Sequence, residues 1–479
     1  MNYFMVLYIL GYILKFEGLF LLLPALVGLI YREYAGFSYL AVAGVCYLLG
    51  LLLNRKKPSS HNLYTREGFV TVALSWIVMS IFGALPFVLT GDIPSYVDAL
   101  FETISGFTTT GSSILTDVEA LSHTSLFWRS FTHWVGGMGV FVFIMAVLPL
   151  MGGSTMNLMK AESPGPSVSK FVPRVKDTAK ILYGIYIAIT FCEIIILCAL
   201  GMPLFDSLTT SFGTVGTGGF GIKNSSIAAY SPAIQYTVTV FMVLSGVNYT
   251  LYFCILSKRF KEAFKLEEVR WYFFIILAAA LVIICNTRHM YPTLEETARH
   301  AFFQVGSIIT TTGYATTDFD LWPEMSKMIL VILMFIGACA GSTGGGIKVS
   351  RVLIMFKTIR KELSLIIHPR EVRRIRMDSH VIEHDTVRSV NVFIAIYFVL
   401  MLASSLLISV DGLNFTSNFT AVVSAINNIG PGLSLVGPTQ NFSVFSAFSK
   451  LVLMFDMLAG RLEMFPMMVM LMPTTWKKR

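Results

Sequence analysis

Apolar runs recur from one end of the chain to the other, and they constrain its fold more than any single motif does. Residues 19–30, 69–89, 140–151, 181–200, 275–285, 328–340, 392–410 and 451–472 are such runs, separated by short polar gaps. Several approach the roughly 20 residues that cross about 30 Å of hydrocarbon. With 55% hydrophobic and only 13% charged residues, and a mean hydropathy of +0.70, the 479-residue chain is too apolar for an ordinary soluble protein. Joined to their milder neighbours, the runs predict an all-α integral membrane fold with about ten crossings.

The net charge of +8 does not point to nucleic acid, because the basic residues fall in the gaps between apolar runs and not on one soluble face. Arg55, Lys56, Lys57 and Arg66 occupy one gap, and Lys160, Lys170, Arg174, Lys176 and Lys180 another. Lys258, Arg259, Lys261, Lys265 and Arg270 fill a third, a basic series from Lys348 to Arg388 a fourth, and Lys477, Lys478 and Arg479 the tail. The positive-inside rule makes these gaps, and both termini, cytoplasmic. The opposite gaps carry Asp92, Asp98, Glu102, Asp117, Glu119, Asp206, Glu295, Glu296, Asp318, Asp320, Glu324 and Asp411. Their sum gives an electronegative outer face that would gather cations.

Four times the chain repeats one pattern: an apolar run, a short helix-like segment, a glycine-centred polar patch and a second apolar run. The patches align as Thr109-Thr110-Gly111, Thr217-Gly218, Thr311-Thr312-Gly313 and Asn428-Ile429-Gly430. An acid stands upstream of each: Asp98 or Glu102, Asp206, Glu295 or Glu296, and Asp411. Near the start of a short helix an acid suits the positive end of the dipole. A narrow cation pore must replace the ion's water with oxygens, most simply a ring of backbone carbonyls. Glycine lets an extended backbone aim successive carbonyls at an axis. Threonine hydroxyls bond nearby backbone or face the ion. Irregular backbone at membrane depth is tolerated only inside protein or along water. The repeats divide the chain into a two-helix unit at 1–54 and four pore units at 67–157, 178–258, 271–366 and 389–472. Because the four patches differ, the ring is pseudo-fourfold, and potassium over sodium discrimination is expected to be looser than with four identical loops.

These patches, together with Trp134-Val135-Gly136-Gly137-Met138-Gly139, Ala161-Glu162-Ser163-Pro164-Gly165-Pro166, the 340–348 segment and Gly460-Arg461-Leu462-Glu463, carry a family resemblance. The chain resembles the TrkH-like membrane subunits of the Trk/Ktr/HKT superfamily over nearly its whole length. The two extra N-terminal helices are more similar to the Trk branch than to Ktr. The resemblance implies potassium uptake across a bacterial inner membrane, potassium held at the filter residues, a homodimer, and a cytosolic TrkA-like ring through which nucleotide (ATP/ADP or NAD) acts. It also implies an intramembrane gate at Gly341, Ser342, Thr343, Gly344, Gly345 and Gly346, and an arginine, Arg461, projecting toward the conduction path. The basic loops at 160–180 and 348–388 become docking surfaces on that view. A less selective potassium/sodium transporter of the Ktr kind is the alternative.

Read without the resemblance, 341–346 breaks its apolar run because glycines and hydroxyl residues leave little helix propensity, or lets helices pack closely through small residues. Only this third repeat is expected to carry a broken helix. Arg461 must face the bundle interior, water or a partner on another helix, since Glu463, two positions on, diverges from it on a helix. Arg129 and His133 either support the first filter or reach outward. Gly216, Gly218 and Gly221 match GxGxxG but lack strand context, and 341–348 lacks the Gly-Lys-Ser/Thr of a phosphate loop. The six cysteines sit in or beside apolar runs without CxxC spacing. The N-terminal stretch reads as a retained helix. No catalytic cluster supports an enzyme, and four same-direction repeats disfavour an organic-substrate carrier of two inverted halves.

Overall fold

The computed structural model describes residues 1–56, 58, 64–137, 139, 175–263, 265–371, 374–378 and 380–477. Met138, the 161–166 motif, Lys57 and the basic positions Lys160, Lys170 and Arg174 lie outside the described residues. Within them the chain is helical apart from turns and one hairpin, Arg376–Met377 paired antiparallel with His380–Val381.

At the N-terminus, Tyr3–Phe20 runs on into Leu22–Tyr31, and Ala35–Leu53 returns beside them. Glycines set this contact. A β-carbon at Gly18 would lie 2.8 Å from the Ala43 carbonyl oxygen, and one at Gly28 2.7 Å from the Gly36 α-carbon. Among lipid tails there is little hydrophobic drive between helices, so close backbone approach supplies the packing.

Each repeat then follows one order. A first helix (Thr65–Thr90, Val175–Ala199, Glu267–Thr287, His384–Ile408) leads to a short pore helix (Tyr96–Phe107, Leu204–Val215, Leu294–Ile309, Phe415–Asn427). Three of the four pore helices are started by side-chain caps: Ser95 accepts from the Asp98 amide, Thr293 from Glu296 and Asn414 from Ser417, while Pro203 precedes the second. Asp98, Asp206, Glu295 and Glu296 fall in first turns as expected. Glu102 instead lies mid-helix, and Asp411 precedes its pore helix, so neither sits at the dipole's positive end.

Among the described residues, six helical stretches are long and apolar enough to cross a membrane: two in the N-terminal unit and the first helix of every repeat. Breaks keep the second helices of repeats 2 to 4 out of that set. In repeat 2, Pro232–Ser245 and Tyr249–Leu256 meet at 89°, and Asn248 Oδ1 caps the new helix on the Thr250 amide at 2.9 Å. In repeat 3, Glu324–Ile336 and Val349–Ile367 are separated by the glycine segment. In repeat 4, Ala447–Arg461 and Phe465–Leu471 are divided by Glu463 and Met464, both left-handed with φ of 57° and 65°. The expectation of a break in the third repeat alone is therefore corrected. Gly246 and Asn248 are breaking signals in repeat 2, and Pro466 must begin a helix because it cannot continue one.

Candidate functional site

The four pore helices end on the same turn. Thr109, Thr217, Thr311 and Asn428 all take left-handed backbone, with φ of 55°, 53°, 59° and 55°. The next residues, Thr110, Gly218, Thr312 and Ile429, donate their amides back to Ser105, Gly213, Ser307 and Ser424 at 2.9, 2.8, 2.8 and 3.0 Å. This is a Schellman closure with a side chain where glycine is usual, at a strain of roughly 1 kcal/mol or more per site. One residue further, Gly111, Gly219, Gly313 and Gly430 have φ of 80°, 79°, 86° and 106°. The shared turn corrects the sequence alignment: Gly219, not Gly218, holds the glycine position of the second patch. Gly218 stands where repeats 1 and 3 have Thr110 and Thr312, because a β-carbon there would lie 2.1 Å from His133 Cγ.

The four glycines close a ring. A β-carbon at Gly111 would lie 2.1 Å from the Gly218 oxygen, at Gly219 1.9 Å from that of Thr312, at Gly313 2.1 Å from that of Ile429, and at Gly430 3.0 Å from that of Thr110. Each repeat's glycine thus packs on the preceding carbonyl of the next, and the fourth returns to the first. Among the described residues the Thr110, Gly218, Thr312 and Ile429 carbonyls accept no hydrogen bond. Buried carbonyls are rarely left so, and the pore-helix C-termini add negative dipole ends behind them. Four such oxygens facing one another are the donor set that a dehydrated cation needs.

Two residues with no prior assignment brace this ring. Arg129 Nε donates to Glu102 Oε1 at 2.5 Å and its Nη1 to the Gly221 carbonyl at 2.7 Å, with its guanidinium carbon 3.7 Å from the Phe220 ring centroid. Glu102 also accepts from the Ser113 hydroxyl (2.9 Å) and the Ile114 amide (3.0 Å), so one buried ion pair ties the first and second patches together. His133 does the same with Nδ1 on the Gly106 carbonyl at 2.8 Å and Nε2 accepting the Phe220 amide at 3.2 Å. Helical spacing on a segment following the first patch was the available signal; their partners, some ninety residues on, were not visible.

Beneath the ring, the 341–346 segment is tied on several sides. The Gly345 amide donates to Thr311 Oγ1 at 2.6 Å. The Cys339 amide donates to Gly246, and the Tyr249 amide to Gly341, both at 3.0 Å, so the breaks of repeats 2 and 3 pair with each other. Ser342 Oγ bonds the Cys339 carbonyl, Thr343 Oγ1 the Ser245 carbonyl, and Lys348 Nζ the Gly344 carbonyl. A β-carbon at Gly344 would lie 2.8 Å from the Thr310 oxygen and one at Gly345 2.4 Å from that of Asn427, so the segment lies directly against the pore-helix ends. Glu268, which belongs to no motif, accepts both the Ala340 amide (2.6 Å) and the Ser350 amide (3.1 Å) on Oε1. Arg461 donates to the Thr343 carbonyl at 2.8 Å and to Gly136 at 2.6 Å, spanning repeats 3 and 1. Glu463 pairs with Arg351.

Fold and site together define a four-repeat, pore-loop membrane protein with a ring of backbone carbonyls at the meeting point of its repeats. Residues 41–478 match the family model described as TrkH, cation transport protein. The chain belongs to that family, whose business is transport and not catalysis. It is 37% identical over 477 residues to the Trk system potassium uptake protein TrkH of Salmonella typhimurium, covering 97% of each chain, and equally so to that of Escherichia coli K12. The crystal structure of the potassium transporter TrkH from Vibrio parahaemolyticus superposes with a TM-score of 0.89 over all of both chains at 33% identity.

Proposed function

We propose that this protein takes up potassium across the bacterial inner membrane, with both termini in the cytoplasm. The closed ring of glycine-on-carbonyl contacts carries the reading, because it sets four carbonyls, one from each repeat, around one axis in the way that replaces a hydration shell. Ions arrive from the acidic outer mouth and shed water against Thr109–Gly111, Thr217–Gly219, Thr311–Gly313 and Asn428–Gly430. They then pass the 341–346 segment, which acts as the gate with Arg461 fastening it. Relatives named as Trk system potassium uptake proteins support the choice of potassium. A homodimer, and a TrkA-like cytosolic ring that binds nucleotide and moves the gate through the 348–388 loop, belong to the same proposal. The four unlike patches favour a looser potassium/sodium transporter as the second reading.

Concentrative potassium or rubidium uptake into transport-deficient bacterial cells tests this. Cells expressing the chain should accumulate rubidium, and Gly313→Ser should abolish it, since its β-carbon would meet the Ile429 oxygen at 2.1 Å. No accumulation by the parent chain, or a Gly313→Ser variant that behaves like it, overturns the pore reading. Sodium competition then separates the two selectivities.

A further inference from the structure

The fourth filter strand departs from the other three at one oxygen. Its glycine, Gly430, has φ of 106° against 80°, 79° and 86° at Gly111, Gly219 and Gly313. Its β-carbon clearance to the neighbouring strand is 3.0 Å where the others have 2.1, 1.9 and 2.1 Å. Two buried hydroxyls account for the difference: Ser424 Oγ donates to the Gly430 carbonyl at 2.7 Å and Ser112 Oγ at 3.1 Å. Ser424 is fully buried and Ser112 is 1% exposed.

A carbonyl oxygen has two lone pairs, so the Gly430 oxygen is fully engaged. The Gly111, Gly219 and Gly313 carbonyls accept no hydrogen bond among the described residues. The turn geometry also shows why this happens in repeat 4 alone. The positions equivalent to Ser424 are Ser105, Gly213 and Ser307, each the acceptor of the same pore-helix closure. Ser105 Oγ is buried without a partner, Gly213 has no side chain, and Ser307 Oγ bonds the Tyr314 carbonyl, one residue past the glycine.

We propose that the filter level formed by the glycine carbonyls is three-sided: Ser112 and Ser424 withhold the Gly430 carbonyl from the ion and so set how strongly potassium is preferred over sodium. This rests on the cation-pore reading above. The number and field strength of carbonyl dipoles around the ion govern that preference, so restoring a fourth free oxygen should strengthen it.

The test is bilayer recording of the purified full-length protein with potassium and sodium exchanged. Ser112→Ala/Ser424→Ala should raise the potassium to sodium permeability ratio by about threefold or more, each single change giving part of it. Ser105→Ala, which removes a hydroxyl bonded to nothing, and Ser112→Thr, which keeps the donor, should leave the ratio at the parent value. A ratio unchanged or lowered in both single variants and the double, while Ser105→Ala conducts normally, overturns the proposal. So does a rise of the same size in Ser105→Ala. Should the double variant not fold, the single Ser112→Ala against Ser112→Thr decides it in the same way. No current from the parent protein removes the pore reading itself, and this proposal with it.

Discussion

Arg351, two residues into the helix that follows the glycine segment, forms a two-pronged ion pair with Glu463, the left-handed residue at the break in repeat 4. The guanidinium also lies 4.1 Å from the Phe393 ring centroid and donates to the Ile347 carbonyl at 3.2 Å. The breaks of repeats 3 and 4 are thereby fastened to each other.

Removing one charge of such a shielded pair leaves the other stranded, whereas removing both does not. Arg351→Met and Glu463→Gln should each lower thermal stability, and the double variant should lose less than the sum. The expected coupling is about 1–3 kcal/mol, measured from unfolding midpoints and denaturant curves of purified protein. Strictly additive losses would show that the pair holds nothing together.

Glu268 staples the glycine segment by accepting at both of its ends, ten residues apart in sequence. Glu268→Ala strands two buried amides, at about 1–3 kcal/mol each, and frees the segment beneath the ring. Basal rubidium uptake should rise several-fold without any change in its competition by sodium, because no filter atom is touched. Glu268→Gln keeps the acceptor oxygen and should stay near the parent rate. A change in sodium competition would instead place Glu268 in the conduction path.

The Arg129–Glu102 pair braces the first and second glycine patches with both partners buried, at 3% and 0% side-chain exposure. Arg129→Ala should cost about 3–5 kcal/mol and abolish uptake. Lysine should not rescue it, since a single ammonium cannot bond Glu102, bond Gly221 and lie flat on Phe220 together. Normal uptake by Arg129→Lys would mean that charge alone suffices.

Four units were legible in the sequence because membrane depth forces one solution: apolar helices with an irregular polar backbone enclosed between them. The glycines at 111, 313 and 430 were legible for the same reason. The second patch was misread by one position because Gly218 and Gly219 both fit a glycine signal. Only the His133 ring, eighty-five residues earlier in the chain by number, explains why Gly218 lacks a side chain. The repeat 4 break escaped because its hinge residues, Glu463 and Met464, carry no breaking signal of their own, and the nearby signal, Pro466, lies beyond them in the next helix. Arg129, Glu102 and Glu268 looked like single charges near apolar runs; their roles exist only once separate repeats are brought together.

In the turn between Leu22–Tyr31 and Ala35–Leu53, Glu33 caps His123–Gly137, the helix that follows the first patch in repeat 1. Its Oε1 accepts the His123 amide and faces His123 Nδ1, both at 2.9 Å, while Oε2 accepts the Thr124 amide at 2.9 Å and its hydroxyl at 2.7 Å. Tyr31 stacks on the His123 ring at 4.1 Å. Burial pushes the Glu33 carboxyl up, but the hydrogen bonds from Thr124 and His123 together outweigh it and hold it below the ordinary 4.5. A carboxylate depressed by folding contributes stability that is fully present above its unfolded value and is lost as pH falls through its folded one. The unfolding midpoint should therefore hold steady above about pH 5 with respect to this group and drop as the medium is acidified below 4.5. In Glu33→Gln the midpoint should be lower at neutral pH and the acid drop shallower, because no proton is taken up there. An identical acid drop in parent and Glu33→Gln would assign that loss to other carboxylates and leave the Glu33 cap without a share in holding the N-terminal unit to repeat 1.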